Sequence, residues 1–375
     1  MLRRPAPKRV GRPVLSVALV CLIGCATGAE RRVYQLMQEG AEAERVGETA
    51  RAERQIAEAL AEVRGASLGA ELEASIQYEL GRVVGKRCRT DEARALLEAS
   101  LRHAETSGAS ARVTLPRVLE LGYLESSAGR DEEALPYLER GVATARANGF
   151  DQDVHFPDVL QAYAVALRRT GARERGDATA QEALAAIRAR PPRQTPPITF
   201  AYRLGCAAVA RERGDYAEVL RQHQAVLAEA LLEVGRTRLV NSVYEAGRAA
   251  GVTCRFDEAE TYLLDALSLD RQRSGPVHFD LVELARLKLD QRDYPGSASY
   301  FERAIEALNE IRASEGAPVA FADILDEYAT TLDGTGKPSA AGAQRARARY
   351  LRSRVPGAIS ITDRTPYGTQ CPSQP

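Results

Sequence analysis

Few residues in this chain are spaced for catalysis or metal binding. Its four histidines, His103, His155, His223 and His278, stand far apart, and no His-Glu-x-x-His or Cys-x-x-Cys pair supplies the spacing that holds zinc. Gly336-Lys337 has the ending of a phosphate-binding loop, but Pro338 follows where a hydroxyl residue is needed, and Thr331 stands where the first glycine should be. Asp131-Glu132-Glu133 and Asp257-Glu258 could act as acid–base pairs. Both, however, open a helical pattern, where carboxylates suit the positive end of the helix dipole. The expectation is therefore no catalytic residue, no metal, no cofactor and no small-molecule substrate.

The cysteines are the remaining reactive groups. Arg3, Arg4, Lys8, Arg9 and Arg12 precede an apolar run from Val14 to Ile23. Such a run is too short for a membrane span, which needs roughly 20 residues, but it suits the core of a signal peptide. It ends in Leu22-Ile23-Gly24-Cys25, which resembles a bacterial lipobox. That resemblance implies loss of residues 1–24, a lipid on Cys25 and a periplasm-facing protein anchored in the cell envelope. Ala26 follows the cysteine where an Asp would favour the inner membrane, so the outer membrane is the default. Cys88, Cys206, Cys254 and Cys371 would then meet an oxidising compartment. Cys88 and Cys254 sit at equivalent points four repeats apart and are expected to be too distant to bridge. Small buried thiols are the expectation, with disulfides among the four left open.

The whole chain has 51 basic and 51 acidic residues. Loss of the leader removes five of the basic residues and none of the acidic ones, leaving a net charge of −5. That argues against bulk nucleic-acid binding. All but four of the basic residues are arginine. Absence of Trp, few aromatics and abundant Ala and Leu favour an all-α chain.

The elements that must position any binding group are helices in a repeated unit. Between Leu121 and Val142, small residues at Gly122, Ala134 and Gly141 permit close helix packing, Leu121 and Leu138 fill the space between, and Gly129 breaks the chain. This grammar resembles the tetratricopeptide repeat. Equivalent positions on the first helix of each unit fall at Gly40, Gly81, Gly122, Ala164, Ala207, Gly247, Ala285 and Ala329, at intervals of 38 to 44 residues. The usual unit has about 34, so these resemble the longer type found in kinesin light chain. Gly47, Gly129, Gly171, Gly214 and Gly336 mark the turns, with Cys88, Cys254 and Arg292 standing in elsewhere. Ile56, Leu97, Leu138, Leu263 and Phe301 recur on the second helix, with Ala180 and His223 as weaker substitutes.

A duplication overlies the repeat. Tyr78-Glu79, Gly81-Arg82, Gly85 and Cys88-Arg89 return 166 residues later as Tyr244-Glu245, Gly247-Arg248, Gly251 and Cys254-Arg255. The resulting domain plan is a leader and lipobox at 1–25, four repeats at 26–190, a proline-rich joint at 191–197, four repeats at 198–356 and a disordered tail at 357–375. The expected fold is an all-α solenoid of sixteen antiparallel helices in a right-handed superhelix, from about Glu30 to Leu351.

The resemblance implies binding of a protein or peptide on a concave face lined by the first helices. Repeat phase places Tyr78, Arg82, Lys86, Tyr123, Arg168, Arg211, Tyr244, Arg248 and Arg286 along that face. Asp323, Asp326 and Asp333 form an opposite pole. Such a stripe would hold an extended, partly acidic segment. The alternative is an accessory subunit of a cell-envelope enzyme or of an export or assembly machine.

Overall fold

A computed structural model describes residues 28–189, 200–230, 239–360, 362 and 364–371. The leader with Cys25 and the proline joint at 191–197 lie outside these residues.

Every regular element among the described residues is a helix. The first eight are α1 (Gly28–Arg45), α2 (Thr49–Gly65), α3 (Ala70–Lys86), α4 (Thr90–Thr106), α5 (Ala111–Ser127), α6 (Asp131–Ala147), α7 (Phe156–Arg169) and α8 (Arg173–Arg188). Then come α9 (Ala201–Glu212), α10 (Tyr216–Glu229), α11 (Val240–Val252), α12 (Phe256–Gln272), α13 (His278–Asp290), α14 (Tyr294–Glu310), the one-turn α15 (Ala313–Gly316), α16 (Pro318–Gly334) and α17 (Pro338–Ser353). Apart from α15, these are the expected sixteen. The fold is a tetratricopeptide-like α-solenoid: within α1–α8, and again within α11–α17, each first helix packs on its own second helix, as in α3 on α4, and each second helix on the next first helix, as in α4 on α5.

The repeat grammar has a direct packing cause. A Cβ at Gly81, Gly122 or Gly247 would lie within 2.8–2.9 Å of Leu97, Leu138 or Leu263 on the following helix. Glycine on one helix thus makes the space that the large residue of the next one fills. At the turns the left-handed conformation is required whether or not glycine is present. Gly129 has φ 78°, and Cys88, Cys254 and Arg292 hold the same place with φ 64°, 67° and 63°.

Two hydrophobic cores result. The contacts divide the chain between Val209 and Ala210, inside α9, rather than at the proline joint. The physical reason is Tyr202, 2% exposed, which belongs to the first core although it follows the joint. The first unit thus comprises α1–α8 with the start of α9 and Glu229. The second comprises the end of α9, most of α10, α11–α17 and the segment after them.

Two expectations are corrected. Residues 364–371 are not part of a disordered tail: Tyr367 is only 6% exposed and belongs to the second core. The polar composition around it is offset by one buried ring and by ion pairs at Arg364. The four cysteines are not buried thiols either. Cys88 is bonded to Cys206 and Cys254 to Cys371, with Cα–Cα distances of 5.0 and 5.1 Å. Cys88 and Cys254 each bridge to a segment outside the repeats they mark, and not to each other.

Candidate functional site: the face lined by the first helices

In the first unit, Tyr78, Arg82 and Lys86 stand on α3 and Tyr123 on α5. Arg82 does not reach solvent as a free cation. It pairs with Glu79 at 2.5 Å, Glu120 at 3.1 Å and Glu44 at 3.5 Å, and Lys86 also pairs with Glu44. Burial alone would lower the Arg82 pKa, but Glu79 and Glu44 hold it well above the ordinary guanidinium value. Arg82 and Arg117 both approach the Tyr78 ring, at 5.8 and 5.1 Å from its centroid.

This face also carries a segment from beyond the fourth repeat. The Tyr202 ring lies where a side chain at Gly85 would otherwise be, and the Gly205 backbone packs on that of Lys86. Arg203 donates to the Ser126 carbonyl at 3.1 Å and pairs with Glu229 at 2.9 Å, which Arg169 approaches at 2.6 Å. Arg168 is set apart from this cluster: it is exposed and pairs with Asp177 at 2.7 Å.

The second unit repeats the arrangement with a different occupant. Arg248 and Arg286 converge on Glu283, at 3.4 and 2.9 Å, and Arg286 reaches Glu327 at 2.8 Å. Arg211 pairs with Glu245. Tyr244 is buried against the same core. The Tyr367 ring lies in the space left by Gly251, and its hydroxyl donates to Glu283 at 2.6 Å. Burial pushes the Glu283 carboxyl up, but Arg248, Arg286 and the Tyr367 hydroxyl hold it below the ordinary carboxylate value. Burial and Glu283 raise the Tyr367 phenol well above its usual value, so it stays a neutral donor.

Around that ring the segment is held along its length. Arg364 makes two hydrogen bonds to Asp290, at 2.7 and 2.9 Å, and one to Glu327 at 3.1 Å. The Tyr367 amide donates to Asp290 at 2.9 Å. The amides of Gly368 and Gln370 donate to the carbonyls of Gly251 and Val252, at 2.9 and 3.0 Å. Thr365 meets the Tyr216 hydroxyl at 2.7 Å, and the Gln370 side chain donates to the Gly214 carbonyl at 2.7 Å.

The sequence reading found the cations but missed their carboxylates. Glu79-x-x-Arg82, Glu245-x-x-Arg248 and Glu283-x-x-Arg286 carried the signal, because residues three apart on a helix are neighbours. The acidic pole is likewise paired: Asp323 and Asp326 with Arg352, and Asp333 with Arg345. Also missed was the pattern of a tyrosine four residues before a cysteine, at Tyr202–Cys206 and again 165 residues later at Tyr367–Cys371.

No protein-family model matches this chain, and no curated protein matches it. Among solved structures, it is similar to BtubC (BKLC) from P. vanneervenii, with 16% identity over 63% of this chain and 96% of that one, and a TM-score of 0.41. It is also similar to the Rap conjugation gene regulator of the plasmid pLS20 in complex with the Phr* peptide, with 12% identity over 87% and 75% of the two chains and a TM-score of 0.39. A third is a putative kinesin light chain of Podosopora anserina with nearly identical TPR-like repeats, with 20% identity over 52% of this chain and 94% of that one, and a TM-score of 0.31.

Proposed function

We propose that this chain is a binding scaffold of the bacterial envelope, anchored through a lipid on Cys25, that holds extended segments of protein partners on the faces lined by its first helices. One observation carries the reading: in each unit that face already holds a piece of the chain lying outside the helix hairpins it packs on. Extended backbone needs partners for its amides, and in the second unit the face supplies them at the ends of first helices, as the carbonyls of Gly251 and Val252 and the carboxylate of Asp290. The basic stripe expected from sequence works here as half of a set of internal ion pairs, so shape and paired charge select the ligand rather than bulk positive potential.

The test has two arms. A photo-crosslinking residue at Leu289, beside the face, should give adducts with envelope proteins, whereas one at Tyr350, 63% exposed on α17, should give none. Adducts from Tyr350 alone would place binding elsewhere. Cys25→Ala should move the protein from the membrane to the soluble fraction. A mutant that still sediments with membranes, beside a wild type that takes up no labelled fatty acid, would remove the anchor from the reading.

A further inference from the structure

The two units share a slot but differ in what fills it. In the first, Tyr202 is part of α9, a regular helix followed directly by α10. In the second, Tyr367 sits on an irregular segment, joined to α17 by residues 354–363. The features that the face recognises in this segment are local to it: a guanidinium on Asp290 and Glu327, a phenol on Glu283, two amides on the end of α11 and one on Asp290, with Thr365 and Gln370 meeting Tyr216 and Gly214. None of these contacts requires the segment to be covalently continuous with α17. The covalent feature that fixes it is the bond between Cys254 and Cys371, whose Cys371 end is exposed.

We infer that the first-helix face of the second unit is a peptide site for an extended segment with arginine three residues before a tyrosine and glycine directly after it, and that residues 364–371 are its resident occupant, replaced by a partner protein bearing the same pattern. This rests on the scaffold reading above and names the ligand chemistry for one of its two faces. The carboxylates select arginine, because its planar fork meets both oxygens of Asp290 while its Nε meets Glu327. Glycine after the tyrosine is required for two reasons. Gly368 has φ 79°, and a Cβ there would meet the Phe256 ring at 3.2 Å. The ligand is thus basic and aromatic, opposite in charge to the partly acidic segment expected from the arginine stripe.

While the disulfide is closed, the resident competes at an effective concentration that a separate peptide cannot match. A dithiol opens it by exchange. Its two thiols give up two electrons and two protons in forming their own disulfide, and Cys254 and Cys371 take them up as thiols. The resident is then a displaceable competitor.

The experiment uses the full chain and a fluorescent peptide of residues 363–370, followed by anisotropy. Oxidised wild type should not bind it. Cys371→Ser with Tyr367→Ala, which releases the resident and empties its slot, should bind it. Replacing the peptide's arginine or tyrosine by Ala should weaken that binding at least tenfold. A double variant with native helix content that ignores the peptide overturns the proposal, as does equal binding of the Ala peptides. If the double variant does not fold, Cys371→Ser with Arg364→Ala leaves Tyr367 to fill the slot in the free protein but as a weakened competitor that the peptide can displace, and should still bind more peptide than oxidised wild type; no gain overturns the proposal. A dimer forming in Cys371→Ser with no peptide bound also overturns it, since the occupant is then a second copy. Peptide binding without crosslinks at Leu289 would count against the scaffold reading alone, and crosslinks without peptide binding against this one alone.

Discussion

Replacing His223 by Leu should make the second unit less sensitive to acid. His223 stands on α10 where other repeats carry Ile56, Leu97, Leu138, Leu263 or Phe301, and it is 7% exposed. Its Nδ1 has no hydrogen-bond partner among the described residues. Burial first, and then the charge of Arg211, push its pKa down from 6.5 to about 3. The folded chain therefore keeps this imidazole neutral where the unfolded chain protonates it. Its stability is fully present above pH 6.5 and is lost as pH falls from there toward 3. Each unit of pH within that window costs about 1.4 kcal/mol, so the penalty at pH 5 is about 2 kcal/mol. Leu fits the slot by analogy with its neighbours and carries no proton. Urea unfolding followed by circular dichroism at pH 7.5, 6 and 5 should show the pH dependence of His223→Leu reduced by that amount. Identical slopes for the two proteins would mean that the imidazole is solvated or charged in the fold, and the burial argument would fail.

Arg82→Glu should destabilise the first unit by about 3–5 kcal/mol, because it removes the cation from Glu79, Glu44 and Glu120 and adds a fourth carboxylate; a thermal melt within a degree of wild type would refute it. Cys206→Ser opens a covalent loop with a sequence separation of 118 residues and should cost roughly 2–5 kcal/mol, read as a lower urea midpoint under oxidising conditions and no difference from wild type under reducing ones. Gly122→Val forces branched carbon into Leu138, 2.8 Å from the position of a Cβ, and should cost about 1–3 kcal/mol or more; Gly342→Ala, on α17 where a Cβ meets nothing within 4 Å, should cost nothing, and thermal melts of the two variants check the contrast.

What was legible in the sequence was what repeats. The glycine-to-leucine contact between paired helices recurs at a fixed interval, so one well-resolved unit at Leu121–Val142 gives the phase of the others. Turn residues were legible for the same reason, even where Cys88, Cys254 and Arg292 adopt the left-handed conformation without being glycine. The candidate site was legible by half. Phase put the tyrosines and arginines on first helices, but a repeat period says nothing of a pairing such as Lys86 with Glu44, which joins two different repeats. The disulfides were hidden because each joins a turn to a segment outside the repeat. The composition of residues 357–375 concealed one buried tyrosine among residues that, on average, stay solvated.

The duplicated halves also share the way in which the first-helix face of each unit is filled. A slot left by glycine on a first helix is an apolar void unless a ring enters it, and an empty void of that size is costly. Both units solve this with a tyrosine four residues before a cysteine, so Gly85 and Gly251 are covered in each case. The surrounding charges follow from that choice. Once a phenol is buried at Glu283, the carboxylate must be kept ionised by Arg248 and Arg286, and those arginines are then committed to the fold. Glu327 is shared between Arg286 of the fold and Arg364 of the resident segment, whereas Asp290 meets Arg364 and the Tyr367 amide of that segment. In the proposed site, selectivity for an incoming arginine therefore rests first on Asp290, and occupancy of the slot on Gly251. Substitution of Asp290 by Asn should weaken recognition of the arginine while leaving the tyrosine slot and the fold of the unit intact.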